Sequence, residues 1–349
     1  MAVAGALGAA CDQGTQHDQV LVAPPLTVVG TNVDTTKAFP ANGSIQIAFD
    51  RLLHPATAVR QSFLLSGGLQ PTVQYDPVTR IVSLSTSSPT SATPWLTPGQ
   101  TYSLTLPIPA PGALNSGPRA IDGATLTTPY TIEFIVGPPD PAVATAERAV
   151  DFCADVIPIF QNRCSGGKCH ATPLGSQLPA EGLILQTPDG VANTAIARAS
   201  QESNTGARAG VGLPAQRLFG VDMPIVDPLN PGNSWLMYKL LLARTRPVDQ
   251  GLDGGAWACG RTAALPAPAL ASTPTFIVPL ADDEKTRLGQ FVLGSQMPFP
   301  VFRPADQATP QTSTDDETDE LPCTFDEMER IRAWISQGAT TAECPLCPG

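Results

Sequence analysis

The sequence predicts an all-β sandwich followed by a mainly α-helical domain with long loops rich in proline and glycine. Its 349 residues suffice for about two domains at roughly 150 residues each. Residues 26–137 alternate polar and apolar side chains between turns, whereas beyond residue 150 the apolar residues recur at helical spacing. The 37 prolines and 30 glycines, with only 15% charged residues, indicate a turn-rich chain.

Short alternating runs separated by turns predict the β-sandwich in the first domain. His54 has no second ligand type beside it and is interpreted as a surface or turn residue. Asp76 and Asp122 are interpreted as turn formers rather than calcium ligands. No catalytic constellation occurs in this part of the sequence. The predicted strands are Ser44–Phe49, Val73–Tyr75, Arg80–Leu84, Thr101–Leu106 and Tyr130–Ile135.

These runs resemble the SbsA-type bacterial Ig-like domain of surface-layer and other exported proteins. The resemblance implies a spacer or binding module over residues 26–137. The proline-rich residues 138–149 then form a stiff linker to the second domain. The matching positions are Phe49-Asp50 with Pro55, Tyr75-Asp76 with Arg80–Leu84, the turn Leu96–Gly99 before Tyr102, and Asp122-Gly123 before the last strand.

The run Cys164-Ser165-Gly166-Gly167-Lys168-Cys169-His170 carries the chemistry expected of the second domain. Two thiols can bond covalently to a porphyrin, and the adjacent imidazole can ligate its iron. The usual spacing places two residues between the cysteines. Here there are four, which is a minority variant. The alternative is a glycine-containing loop closed by a Cys164–Cys169 disulfide.

Four further segments accompany this motif. An apolar helical face leads into the cysteines and contains Pro158, which we expect to bend or shorten the helix. Met297-Pro298 follows a predicted helix over Asp282–Leu293, and Ser234 is expected to cap a mid-chain helix. Thr324 and Glu327 form a capping box that opens a terminal helix. The apolar face consists of Phe152, Val156, Ile159 and Phe160, and Gly338 is placed to end the terminal helix.

Together these segments resemble cytochrome c-like domains of the planctomycete and myxobacterial type. The resemblance covers roughly residues 150–339 and implies a cytochrome c-like domain over residues 150–349. It implies one covalently attached haem c, with His170 as the proximal ligand and Met297 as the distal one. Met223 also precedes a proline and is the alternative distal ligand. Met237 and Met328 fall on helical apolar faces and are predicted to be core residues.

Residues 1–25 are predicted to be a lipoprotein-like signal segment and a tether. Leu7-Gly8-Ala9-Ala10-Cys11 resembles a bacterial lipoprotein cleavage site, which would place a lipid on Cys11. The alternative is a chance Ala- and Gly-rich start. Export and haem attachment both belong outside the bacterial cytoplasm. We therefore expect the protein in the periplasm or at the cell surface, anchored to a membrane only through this lipid.

Five of the eight cysteines are left after lipid and haem attachment, and they are disulfide candidates. Because five is odd, either one stays unpaired or one assignment is wrong. A zinc site at Cys344-Pro345-Leu346-Cys347 is disfavoured, since no second pair or histidine stands near it. The five candidates are Cys153, Cys259, Cys323, Cys344 and Cys347.

The net charge of −11 argues against nucleic acid and anionic membrane surfaces as partners. No Ser/His/Asp set or phosphate loop supports an enzyme. The leading hypothesis is an exported electron-transfer protein with one haem c and an unidentified redox partner. The second is a non-catalytic surface lipoprotein whose cytochrome-like domain is degenerate and held by disulfides.

Overall fold

The computed structural model describes residues 23–86, 94–109, 116–141, 149–165, 170–171, 179–200, 219, 223–243, 280–292, 297 and 323–344. These residues form a β-rich N-terminal part and a second part built from short helices. Among them, no helix combines the length and the apolar character needed to cross a membrane.

The described N-terminal residues contain eight strands in two four-stranded sheets. The strands are β1 (Val28–Thr31), β2 (Phe39–Pro40), β3 (Ile45–Phe49), β4 (Leu64–Leu65), β5 (Thr72–Asp76), β6 (Ile81–Ser85), β7 (Thr101–Leu106) and β8 (Tyr130–Gly137). One sheet has the order β1-β3-β6-β5 and is antiparallel throughout. The other has the order β2-β8-β7-β4, in which only the short β2–β8 pairing is parallel.

The alternation in sequence determines which face of each strand is buried. In β7, Tyr102, Leu104 and Leu106 are buried, while the intervening residues are more exposed. The β7–β8 ladder runs without a shift from the Thr101–Ile135 pair to the Leu106–Tyr130 pair. Apolar side chains from both sheets fill one core. The prediction of a β-rich N-terminal part made of two sheets is confirmed.

Polar side chains shape the turns of this part. Asp76 accepts hydrogen bonds from the Val78 N–H at 2.8 Å and the Thr79 hydroxyl at 2.7 Å. Asp122 accepts one from the Ala124 N–H at 3.1 Å. His54 caps the short 3₁₀ turn Pro55–Thr57, and its Nδ1 lies 3.3 Å from the Ala56 nitrogen.

The first helix of the second part, α1, consists of three consecutive segments: Phe152–Val156, Ile157–Ile159 and Phe160–Cys164. The first and third have π turns, and the middle one is α-helical and contains Pro158. The helix is therefore not shortened at the proline, which has no N–H to donate. It continues directly into the first motif cysteine.

Four more helices follow in the described ranges: α2 (Pro188–Thr194), α3 (Trp235–Leu241), α4 (Asp282–Phe291) and α5 (Phe325–Ser336). The capping box at the start of α5 is present, and Gly338 follows the helix with φ +103°. Ser234 precedes α3 but does not cap it. Its oxygen accepts instead from the Asp227 N–H at 2.9 Å, and its hydroxyl donates to the Asn230 carbonyl at 3.0 Å, so the expected cap is wrong and the side chain binds the preceding turn.

Helices α1 and α5 pack against each other through their apolar faces. The Trp334 ring stacks on Phe152 with centroids 5.3 Å apart and meets Phe160 edge-on at 5.9 Å. A disulfide joins Cys153 to Cys344 beyond the end of α5. These contacts hold the two ends of the second part together. The more specific expectation, a cytochrome c-like fold, stays a prediction.

The second part also packs directly on the sandwich. Leu52, Val78 and Ile121 of the N-terminal part belong to the apolar core of the helical part. Arg51 is buried between two carboxylates, Asp122 of its own part and Glu284 of α4, whose Oε2 lies 3.0 Å from the Arg51 Nε. The two parts are therefore joined by a buried interface that contains both apolar and ionic contacts.

Candidate functional site around His170

The ends of the cysteine–histidine motif are held together by backbone hydrogen bonds. Cys164 is the last residue of α1, and its carbonyl accepts from the His170 N–H at 3.2 Å. The His170 carbonyl accepts in turn from the Leu185 N–H at 2.8 Å. Residues 166–169, including Cys169, lie outside the described residues. The neck of the motif loop is thus closed, with Cys164 and His170 side by side.

The His170 ring is oriented by a backbone carbonyl. The side chain is buried, with 5% of the residue exposed, and Nδ1 lies 3.3 Å from the Leu183 oxygen. A carbonyl oxygen can only accept, so in this contact Nδ1 carries the proton and donates it. The neutral ring then has its lone pair on Nε2, the arrangement typical of histidines that bind metals.

Several groups act on the proton affinity of this ring. Burial lowers the pKa of His170 below its ordinary value, because the charged ring loses hydration. The carbonyls of Leu183 and Ala180 act in the opposite direction, and the charge of Lys239 lowers the pKa further. His170 therefore favours the neutral form, which is the form that can donate a lone pair to a metal.

Met297 lies against helix α3. Its N–H donates to the Lys239 carbonyl at 3.1 Å, and the residue is half-buried. Lys239 is itself buried in α3, and its charge acts on His170. Lys239 thus contacts the Met297 backbone and acts electrostatically on the His170 ring. The flanking residues 293–296 and 298–300 lie outside the described part of the chain.

Met223, the alternative ligand, belongs to the core of the helical part. It is buried, and its carbonyl accepts from the Ser200 N–H at 2.8 Å. The adjacent Pro224 carbonyl accepts from the Trp235 N–H at the start of α3. These contacts fix residues 223–224 against two neighbouring segments. Met237 and Met328 are also buried in this core, where the helical pattern placed them.

An ion pair joins the last turn of α1 to the first turn of α5. The Arg163 Nη2 lies 3.0 Å from Glu327 Oε1, and both side chains are buried. Glu327 Oε2 accepts from the Thr324 N–H at 2.7 Å, which is one half of the capping box. One carboxylate therefore fixes both the end of α1 and the start of α5.

This carboxylate brings two cysteines near each other. Cys164 follows Arg163, Cys323 precedes Thr324, and both thiols are buried in the same apolar core. Burial holds the pKa of the Cys323 thiol well above its usual range, and negative charge at Cys164 and Glu327 raises it further. Cys164 is thus one of the groups that Cys323 faces.

The remaining predicted cysteines divide into two groups. Cys153 and Cys344 form the disulfide between the ends of the helical part. Cys11, Cys259 and Cys347 lie outside the described residues. Within the described ranges, no group of three or more His, Cys, Asp or Glu side chains is arranged to hold a metal ion.

Sequence reasoning did not identify the partners of the candidate residues. The Leu183 carbonyl and the backbone contact of Met297 carry no residue-type signal, because any residue can supply a backbone group. Arg163 did carry a signal. A charged side chain at the end of an apolar helix needs a partner when it is buried, and Glu327 was already assigned to the capping box.

No family model matches this sequence, and no curated protein does. Two crystal structures of the bacterial surface-layer protein SbsC are similar over a limited region. The first has 19% identity and a TM-score of 0.23, covering 37% of this chain and 15% of the other. The second, its N-terminal part, has 16% identity and a TM-score of 0.22, covering 38% and 27%.

An alpha-2-macroglobulin from E. coli has 13% identity and a TM-score of 0.24, covering 33% of this chain and 6% of the other. The chain therefore spans less than a third of the length of each of these neighbours. Likeness at this level carries no argument about fold or function.

Proposed function

We propose that the protein is an exported electron-transfer protein that carries one covalently attached haem c. The observation that carries the proposal is His170, buried, with Nδ1 donating to the Leu183 carbonyl, at the closed neck of the Cys164–His170 motif. The two thiols would hold the porphyrin, and His170 would ligate the iron through Nε2. The bound group would supply reversible one-electron oxidation and reduction.

The chain's own residues fit this role. The Leu183 carbonyl fixes the ring orientation and keeps the lone pair on Nε2. Burial of His170 disfavours its protonated form, so the ring stays available as a ligand. Met297 is our choice for the sixth ligand, since its backbone is bound to Lys239, whose charge reaches His170. A thioether in that position would raise the reduction potential.

Cysteine chemistry supports a location outside the cytoplasm. Disulfides persist in oxidising compartments, and the Cys153–Cys344 bond joins the two ends of the helical part. We therefore place the protein in the periplasm or on the cell surface, with a lipid on Cys11 as its anchor. The sandwich, joined to the helical part through Arg51 and Glu284, would hold the haem-binding part at a fixed orientation to itself.

A haem stain on a denaturing gel tests the attachment. Protein made with a haem-maturation system is expected to stain, and Cys164→Ala/Cys169→Ala is expected to lose the stain. Cys259→Ser, a cysteine outside the motif, is the control and is expected to keep it. Colourless protein from a competent host would overturn the proposal.

A second experiment tests the sixth ligand. Ferric haem bound to a methionine sulfur shows a weak near-infrared band. Met297→Ala is expected to abolish the band and lower the potential, because iron(II) loses a soft ligand. Met223→Ala is the matched control and is expected to keep the band. The reverse pattern would assign the ligand to Met223.

A second candidate function has specific support. The Cys153–Cys344 disulfide and the burial of Cys164 beside Cys323 suit a structural surface lipoprotein whose helical part is stapled by disulfides. Such a protein would need no haem. Mass spectrometry of Cys164 distinguishes the two functions, since a thioether adds the mass of haem to its peptide and a disulfide links that peptide to another one.

A further inference from the structure

Cys164 and Cys323 lie at the same place in the fold although they are far apart in sequence. Cys164 ends α1, Cys323 directly precedes the cap of α5, and both thiols are buried in one apolar core. Each adjoins a residue that the Glu327 carboxylate holds: Arg163 at 3.0 Å and the Thr324 N–H at 2.7 Å. The Glu327 carboxylate therefore fixes the backbone beside both cysteines.

We propose that Cys164 and Cys323 form a redox-active dithiol that closes to a second disulfide in the haem-free protein. The pair lies between the end of α1 and the start of α5, whereas Cys153–Cys344 joins the start of α1 to the segment that follows α5. Two staples would then fix the helix pair at both ends. The effect of Cys164 on the Cys323 thiol agrees with their proximity.

The closing step is a thiol–disulfide exchange with an oxidant of the disulfide class. The Cys164 thiolate attacks one sulfur of the oxidant and releases the other as a thiolate, which leaves a mixed disulfide. Cys323, which burial keeps in its thiol form, must first lose its proton, and its sulfur then attacks the Cys164 sulfur and displaces the rest of the oxidant as a thiolate. Two protons and two electrons leave the pair, the oxidant becomes two thiols, and one S–S bond replaces another.

Pairing of Cys164 with Cys323 would compete with haem attachment, a step that rests on the proposed function. Cys164 has one sulfur, so it cannot form a disulfide with Cys323 and a thioether with haem at the same time. Haem attachment would therefore require the pair in its reduced form, and the oxidised form would be a competing haem-free product. The disulfide itself is independent of whether haem is ever attached.

Peptide mapping under non-reducing conditions tests the pair. Trypsin releases Cys164 in the peptide 164–168 and leaves Cys169 in the next peptide, so the two motif cysteines separate. Cys323 is the only cysteine of the peptide 288–330. The protein is made without haem maturation, treated with oxidised glutathione, blocked with N-ethylmaleimide and digested. We expect peptides 164–168 and 288–330 to be joined, and the joined mass to disappear on reduction.

Two variants sharpen this measurement. Cys169→Ser removes the competing partner within the motif and is expected to keep the link between Cys164 and Cys323. Cys323→Ser is expected to lose it and, with haem maturation present, to raise the share of chains that carry haem. Circular dichroism checks that each variant is folded.

The outcomes separate this inference from the proposed function. A link from Cys164 to Cys169, or an alkylated Cys164 after oxidation of the folded wild-type protein, would overturn the inference whatever the haem stain shows. A link from Cys164 to Cys323 in protein that no host can load with haem would support the inference and overturn the electron-transfer function. If Cys323→Ser leaves the share of chains that carry haem unchanged, the disulfide does not compete with haem attachment.

Discussion

The sandwich and the helical part are stabilised by contacts of different range. In the sandwich, strands such as β5 and β6 follow each other closely in sequence and pair over their whole length. In the helical part, the contacts between α1 and α5 join residues far apart along the chain. Arg163 and Glu327 are separated by 164 residues, and Cys153 and Cys344 by 191.

This difference predicts how each part responds to damage. The β5–β6 hairpin costs little entropy to form, and even the distant pairing of Phe39 with Val136 spans far fewer residues than the contacts between α1 and α5. The helical part must close a long segment before its two ends can meet, and the contacts between α1 and α5 offset that cost. Single changes in those contacts are therefore expected to affect the helical part first and the sandwich last.

The largest effect is expected from removing the Cys153–Cys344 disulfide. Loop-closure entropy for a separation of this length corresponds to about 5 kcal/mol, and we expect Cys153→Ala/Cys344→Ala to lower the free energy of unfolding of the helical part by about that amount. Guanidinium unfolding followed by circular dichroism measures this, with the helical signal lost at lower denaturant than the β signal. Simultaneous loss of both signals would contradict the distinction between the parts.

The isolated sandwich tests the same distinction from the other side. Residues 26–137 contain all eight described strands and their core. Expressed alone, we expect this fragment to give a β-type spectrum and to melt cooperatively, at a lower temperature than in the whole chain because Leu52, Val78 and Ile121 lose their cover. An unfolded fragment would show that the helical part is needed for the sandwich to fold.

A smaller effect is expected at the ionic contact between the two parts. Glu284 accepts from Arg51 at 3.0 Å and from the Leu52 N–H at 3.0 Å, and it is buried. Glu284→Gln leaves the Arg51 charge with one carboxylate fewer, and we expect a loss of about 3 kcal/mol. Asp283→Asn is the matched control. This neighbour pairs with Arg287 within α4, and its side chain is 62% exposed.

For Asp283→Asn we expect a change below about 0.5 kcal/mol, since exposed ion pairs contribute little. Chemical denaturation of both variants measures the difference. Equal losses of unfolding free energy in the two variants would show that the buried Arg51–Glu284 pair stabilises the protein no more than an exposed pair does.

The next effect concerns packing between the two parts at Gly232. A Cβ there would lie 2.6 Å from the Tyr75 ring and 2.8 Å from the Tyr75 carbonyl oxygen, so we expect Gly232→Ala to cost about 1–3 kcal/mol. Gly289→Ala, inside α4, is the control, because its nearest neighbour is Leu242 at 3.9 Å. In that helix alanine is expected to stabilise by about 0.5–1 kcal/mol. Thermal melting measures both variants. A change in melting temperature of the same sign in both would contradict the prediction.

The sequence predicted the sandwich well for a local reason. Strand β7 is predicted and observed over the same residues, because alternation and the flanking turns determine a strand without reference to its partner. The capping box of α5 was predictable in the same way, since Thr324 and Glu327 are three residues apart. Ser234 shows the limit of local rules. Its oxygen accepts from the Asp227 N–H in the preceding turn and not from an N–H of α3, and the local sequence does not choose between these donors.

The candidate site was predictable in its residue types but not in its partners. Cys164, His170 and Met297 follow from the motif and the Met-Pro sequence. The Leu183 carbonyl that orients His170 does not, because a backbone acceptor has no residue-type signature. The proximity of Cys164 and Cys323 depends on how α1 meets α5, which periodicity alone leaves open.

The smallest expected effect is a pH dependence at His54, where the sandwich touches the helical part. The ring lies edge-on to Phe219 with centroids 5.6 Å apart, and burial lowers its pKa below the ordinary 6.5. The unfolded chain therefore binds a proton at a higher pH than the folded one. Stability should fall as the pH drops below about 6.5 and level off below the folded pKa.

We expect His54→Asn, which keeps an acceptor for the Ala56 N–H, to remove this part of the pH dependence. Denaturation midpoints across that range, with proton NMR titration of the ring, measure the effect. A His54 pKa at or above the ordinary value would show that contact with the helical part does not shield the ring from water.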